Sequence, residues 1–245
     1  MSDTRGARPG TEADREQLAA FLLSMRSRLG ADGRMLSALE TVPRRVFLPG
    51  VRGDLYAAQS FPLPCGETMP SAELTVRCLM ALKVQPDSRI LEIGTGSGYC
   101  SALLARLGAR VTTMERYRTL HREASERAKA LGFENITFLH EDGARGHAEG
   151  GPYDRIIVHA AMSGVPKPLF EQLASHGVLL CALGPGGSMQ RLVRHEKAGS
   201  RLEEAVVGTA LMLIGGNSRQ VAAAVDARMR EVARSLPPSV EIKTV

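Results

Sequence analysis

The chain has 245 residues, 44% of them hydrophobic, enough for one large α/β domain with an N-terminal extension. No apolar run approaches the roughly 20 residues a membrane helix needs, and the polar start MSDTRGARPGTEADREQ lacks the core of a secretory signal, so a cytoplasmic protein without a membrane partner is expected. The net charge is +5, but the arginines are dispersed, tryptophan is absent and aromatics make up 4%, so nucleic acid is not an expected partner.

Residues 1–13 read as a disordered tail, although helical spacing starts near Glu12 and runs through Leu18, Phe21, Leu22 and Met25 to Leu29. A second helix is predicted over 35–41, stopping before Pro43. Residues 42–49 then read as an extended segment, and 54–58 as a short helical turn. The stretch 61–70, rich in proline and glycine, reads as a loop, and Ser71 as the N-cap of a helix running to Leu82. The four cysteines, Cys65, Cys78, Cys100 and Cys181, show no C-x-x-C pairing and read as reduced thiols, not as a metal site or disulfide framework.

Ile90-Leu-Glu-Ile-Gly-Thr-Gly-Ser-Gly-Tyr99 organises the remainder. A short apolar run predicts a buried strand ending at Ile93. Gly94, Gly96 and Gly98 turn the chain, and a helix starts near Ser97. Glycine there permits positive φ and removes the Cβ that would keep a ligand away, while the new helix offers unpaired N–H groups. The spacing differs from the dinucleotide pattern G-x-G-x-x-G. The next strand, from Arg110, ends in Glu115, an acid placed to accept both ribose hydroxyls of a nucleoside.

Beyond it the pattern predicts a helix over 119–131, a strand over 135–139 followed by the turn Glu141-Asp142-Gly143, and a strand over 155–160. A helix over 166–175, a strand over 178–183 and two antiparallel strands over 190–195 and 205–214 follow. A closing helix spans 221–235. Alternating strands and helices give a doubly wound, mostly parallel, Rossmann-like α/β sheet of seven strands with an antiparallel edge and a helical N-terminal extension. The expected organisation is a tail (1–13), a helical extension with a covering loop (14–82), a core (83–216) and a C-terminal helix and tail (217–245).

The chain resembles class I S-adenosylmethionine-dependent methyltransferases, and more narrowly the protein-L-isoaspartate O-methyltransferase family, from about Leu36 to Gly216. Val42-Pro-Arg-Arg-Val-Phe, Gly66-Glu-Thr-Met-Pro, the core from Leu91 to Tyr99, Glu115-Arg116 and Glu141-Asp-Gly143 carry the likeness. So do Pro152-Tyr-Asp-Arg-Ile-Ile-Val-His-Ala-Ala161, Gln190-Arg-Leu192 and Leu213-Ile-Gly-Gly216. It implies S-adenosyl-L-methionine as cofactor, no metal, and repair of isoaspartyl residues in damaged proteins or peptides. Gly94, Gly96 and Ser97 would line the methionine portion. Glu115 would hold the ribose, with Arg116 beside the adenosine. Asp142 would accept from the adenine amino group, with Gly143 adding a backbone contact. Thr68, Met69 and Pro70 would cover the methyl, Thr75 would reach the amino-acid end, and Gly215 and Gln220 would fold back near the site.

Two departures open alternatives. Glu67 replaces the family's usual glutamine and Pro70 its serine, with Ser71 one residue later: Ser71 is either a hydroxyl for the substrate carboxylate or only an N-cap. His159 stands where the family often has a small hydroxyl residue, and is either a substrate contact or structural. Pro70, Ser71 and His159, on the acceptor side, are therefore the candidate catalytic residues. The same fold acting on another acceptor (a modified peptide carboxylate, a small molecule or RNA), or serving as a non-catalytic cofactor-binding module, is the alternative. The oligomeric state is not legible in the sequence.

Overall fold

The computed structural model describes residues 11–185 and 189–210. Three helices lead the chain: α1 (Glu12–Leu29), α2 (Gly33–Thr41) and α3 (Arg44–Phe47). Helix α1 takes in Glu12 and Ala13, assigned above to the tail, because Thr11 and Asp14 form a reciprocal capping box that satisfies two end N–H groups. The segment 42–49, expected to be extended, instead contains α3. Buried Phe47 and the buried Arg44 side chain anchor that single turn on the core. Residues 54–58 form turns and bends, not a helix.

The loop 61–70 holds a small antiparallel pair that its proline content concealed: β1 (Phe61–Pro62) and β2 (Thr68–Met69), in register Phe61 to Met69. Helix α4 (Ala72–Leu82) follows, with the Ser71 side chain accepting from Leu74 N–H at 3.2 Å.

The core alternates β3 (Arg89–Ile93), α5 (Tyr99–Leu107), β4 (Arg110–Met114), α6 (Arg118–Ala130), β5 (Ile136–Leu139), β6 (Tyr153–Met162), α7 (Lys167–Gln172) and β7 (Leu173–Leu183). The antiparallel strands β8 (Gln190–Ala198) and β9 (Arg201–Ala210) close it. Helix α7 is shorter than the expected 166–175 because Leu173 already pairs with Tyr153 as the start of β7. The sheet order is β5-β4-β3-β6-β7-β8-β9, parallel up to β7 and antiparallel beyond. Strand β9 holds the first part of the strand expected over 205–214; its residues 211–214 and the helix expected over 221–235 lie outside the described residues.

The main core joins the sheet to the N-terminal helices. Phe47, Leu39, Val42 and Leu82 are 0% exposed beside Val76, Leu103 and Leu104 of α4 and α5. Each fully buried aliphatic or aromatic side chain contributes about 1.5–3 kcal/mol, so the N-terminal helices are an integral layer of the fold. No helix among the described residues is long and apolar enough to cross a membrane.

Candidate active site

Strand β3 pairs with β4 on one side and β6 on the other, so strand order reverses at β3. Open α/β sheets bind ligands in the crevice at the carboxyl ends of such strands. Ile93 pairs with Val158, so the next residues, Gly94 and His159, meet at the mouth of that crevice. A Cβ built on Gly94 would lie 3.2 Å from His159 Cβ, and φ is +93° there. Gly94 is thus required by both conformation and space.

A cavity of about 990 Å³ opens at this point. Its walls include Gly94, Gly96, Glu115, Arg116, Asp142, Gly143, Thr68 and His159. A second recess of about 80 Å³ adjoins it, walled by Met69, Pro70, Thr75, Ser97 and again His159. The residues singled out in the described chain therefore gather around one crevice, Ser71 excepted. Gly215 and Gln220 lie outside the described residues.

Each wall has a local cause. The Glu115 carboxylate, 5% exposed, accepts from Gly96 N–H and Tyr117 N–H, both at 2.9 Å. These bonds lock the acid to the glycine loop, and each oxygen retains a lone pair for a ligand hydroxyl. Asp142 Oδ1 accepts from Ala144 N–H at 2.9 Å, which fixes the turn after β5. Gly143 packs so tightly that a Cβ there would come 2.5 Å from Ile93 Cγ2. Arg116 reaches Glu67 at 3.3 Å and Tyr117 Oη at 2.8 Å, with its guanidinium 4.6 Å from the Tyr117 ring centroid.

The cover over the recess is held from below. Arg44, 1% exposed, donates through Nε to Leu55 O at 2.9 Å and through Nη2 to Pro70 O at 2.8 Å. Its guanidinium sits 4.7 Å from the Tyr99 ring centroid. Burial pulls its pKa below the usual arginine range and pushes the Tyr99 phenol up. Ser97 Oγ donates to Met69 Sδ at 3.3 Å, joining cover to glycine loop. Thr75 Oγ1 donates to Ser71 O at 3.1 Å. The Ser71 hydroxyl itself is engaged as the α4 cap and borders neither cavity. Of the two roles open for Ser71, the geometry favours the cap.

Two residues without a sequence-derived role matter here. Glu92 is 0% exposed near the carboxyl end of β3 and accepts from Ser101, Thr113 and His159. Its signal was an acid inside an apolar strand, which must find partners once buried. Arg44 gave a weaker signal, the doublet Arg44-Arg45 before an apolar pair. Cys100, beside Glu92, has its thiol pKa pushed well up by burial, with the acid adding to the effect.

The chain matches the family model described as Protein-L-isoaspartate(D-aspartate) O-methyltransferase over residues 17–218. It belongs to that family. A Protein-L-isoaspartate O-methyltransferase of Azorhizobium caulinodans is 42% identical over 194 residues, covering 79% of this chain and 89% of the relative. One from Xanthobacter autotrophicus is 40% identical over 188 residues, covering 76% and 86%. In three dimensions the chain is similar to a protein-L-isoaspartate O-methyltransferase structure with a TM-score of 0.72 at 24% identity, covering 84% of this chain and 66% of that one. It also matches a Plasmodium falciparum structure, titled as a protein of this family in complex with S-adenosyl-L-homocysteine, with a TM-score of 0.68 at 20% identity. That match covers 81% of this chain and 97% of the other. These structural likenesses confirm the methyltransferase fold. Membership in the protein-L-isoaspartate O-methyltransferase family makes the chain an S-adenosyl-L-methionine-dependent enzyme.

Proposed function

We propose that the chain methylates the free carboxylate of L-isoaspartyl residues in damaged proteins or peptides, the first step of their repair, and that the crevice at β3 is where it does so. The observation that carries the reading is the single crevice with two unlike halves. One half has the acid and glycine-loop chemistry of a nucleoside site; the other is a small, covered recess.

The donor set fits the cofactor. A Cβ on Gly96 would meet Leu63 of the cover at 3.5 Å, so the bare loop leaves room where a ligand backbone must approach. Glu115 would hold the ribose hydroxyls, Asp142 and Gly143 the adenine edge, and Arg116 would lie beside the adenosine. Gly94, Gly96 and Ser97 would line the methionine portion, with Thr75 toward its amino-acid end. When bound, S-adenosyl-L-methionine supplies a methyl group already activated on a sulfonium.

The chain's own residues then have no bond to polarise and no proton to remove from a carboxylate nucleophile. Their task is to align the acceptor with the methyl and keep water out. Met69 and Pro70 roof the recess, held by the Arg44 bond to Pro70 O and by Ser97 against Met69. Thr68 and His159 border the space between the halves.

The test is transfer of label from methyl-labelled S-adenosyl-L-methionine to an isoaspartyl peptide, with the matching aspartyl peptide as control. Label on the isoaspartyl peptide alone is expected. Label on neither peptide, from protein that binds S-adenosyl-L-homocysteine, would move the search to another acceptor.

A further inference from the structure

His159 borders both cavities, and its ring is held from behind. Nε2 lies 3.0 Å from Glu92 Oε1. Glu92 accepts at its other oxygen from the Ser101 hydroxyl and, at 2.7 Å, from Thr113. A carboxylate accepts and does not donate, so the proton between the two residues belongs to Nε2. In the neutral imidazole the lone pair then resides on Nδ1. Among the described residues Nδ1 has no hydrogen-bond partner, and it is not one of the buried polar atoms that lack one. Since His159 is otherwise enclosed and lines the crevice, Nδ1 offers its lone pair to the crevice. The same carboxylate steadies the glycine loop: Thr113, which donates to Glu92, lies 2.6 Å from Thr95 Oγ1.

An isoaspartyl residue carries its free carboxylate and its amide nitrogen on one carbon. In an aspartyl residue a methylene separates that carbon from the carboxylate, which moves the N–H away by about one carbon–carbon bond, roughly 1.5 Å. A fixed lone pair beside the methyl-transfer point can therefore distinguish the two. We propose that His159 is a specificity-determining residue whose Nδ1 accepts a hydrogen bond from the amide N–H adjacent to the acceptor carboxylate, and that Glu92 is the positioning residue that sets its tautomer. The inference rests on the isoaspartyl reading above and names the group that reads the acceptor.

The experiment compares an isoaspartyl peptide with the same peptide N-methylated at the isoaspartyl nitrogen, which removes the donor. Wild type and His159→Gln are assayed for kcat and KM on both, with S-adenosyl-L-homocysteine affinity measured by calorimetry. The glutamine amide can still donate to Glu92 but offers no acceptor at the Nδ1 position. Wild type should lose about tenfold in kcat/KM on N-methylation, the order expected for one hydrogen bond in an enclosed site. His159→Gln should start about tenfold lower on the unmodified peptide, through KM, lose nothing further on N-methylation, and keep its S-adenosyl-L-homocysteine affinity.

Glu92→Gln supplies a second readout. Its oxygen is needed by the Ser101 and Thr113 hydroxyls, so its NH₂ must face His159 and drive the ring proton onto Nδ1. The ¹⁵N shifts of the two ring nitrogens should exchange, and the N-methyl discrimination should vanish. Equal N-methyl penalties in wild type and His159→Gln would make the effect steric and overturn the role of His159, leaving the acceptor reading intact. An unchanged tautomer in folded Glu92→Gln would overturn the role of Glu92. No wild-type transfer to the unmodified peptide would overturn the acceptor reading and this inference with it.

Discussion

The two halves of the crevice are built in different ways. On the cofactor half, each functional group lies within a few residues of a strand end: Gly94 and Gly96 after β3, Glu115 after β4, Asp142 and Gly143 after β5. Their partners are local or belong to the next loop, as in the bond from Gly96 N–H to Glu115. On the half proposed for the acceptor the side-chain contacts that hold Met69, Pro70 and His159 are long-range. Pro70 is held by Arg44, 26 residues earlier, Met69 touches Ser97, 28 residues later, and His159 is oriented by Glu92, 67 residues earlier. A sheet edge can therefore present the half proposed for the cofactor almost by itself, and His159 with it, whereas the Met69–Pro70 cover is in place only when the N-terminal layer is docked.

This difference can be broken from either side. The largest effect is expected from Arg44→Met, which leaves the Leu55 and Pro70 carbonyls without their donors inside the core. Even with the burial of a charge relieved, a loss of about 3 kcal/mol in denaturant unfolding is expected. Glu115→Ala removes an acceptor from the Gly96 and Tyr117 N–H groups and, on its proposed role, from the ribose. Calorimetry should show S-adenosyl-L-homocysteine binding weakened about thirtyfold, roughly 2 kcal/mol, with unfolding far less affected than in Arg44→Met.

A smaller effect sharpens the role of the N-terminal layer. Asp14 pairs with Arg45, and that bond is the main cause of a carboxyl pKa lowered to about 2. A depressed carboxylate stabilises the folded state above its unfolded value of 3.8, and the contribution fades as pH falls from there toward 2. Between about 1 and 2 kcal/mol should disappear across that window, and Asp14→Asn should flatten the pH dependence of unfolding there. The smallest effect is expected from Ser71→Ala. Losing the α4 cap should cost about 1 kcal/mol of stability and leave acceptor kcat nearly unchanged. A large fall in kcat with stability intact would instead give that hydroxyl a place in the acceptor site.

The same contrast explains what the sequence discloses. The order strand, glycine loop, helix, strand, acid is written in adjacent residues, so the central strands and the residues from Gly94 to Gly143 that wall the crevice were legible from Ile90 to Gly143. Helix α3 was not, because its stability comes from Phe47 and Arg44 packing on distant residues and not from local periodicity. The pair β1–β2 was hidden because two-residue strands leave no alternation to detect. Glu92 was visible as an acid in an apolar run, but its partners, Ser101 on α5, Thr113 on β4 and His159 on β6, are brought together only by folding. Ser71 was legible both as a cap and as a possible site hydroxyl, and only the geometry separates the two.

The most direct test of the two-part construction measures S-adenosyl-L-homocysteine affinity and KM for an isoaspartyl peptide on both Glu115→Ala and Arg44→Met, at a temperature where each is folded. Glu115→Ala should weaken the cofactor and leave the peptide KM within about twofold at saturating cofactor, while Arg44→Met should raise the peptide KM and leave cofactor affinity within the same margin. If Arg44→Met weakens the cofactor as much as the peptide, the halves are one cooperative unit and the distinction between them is wrong.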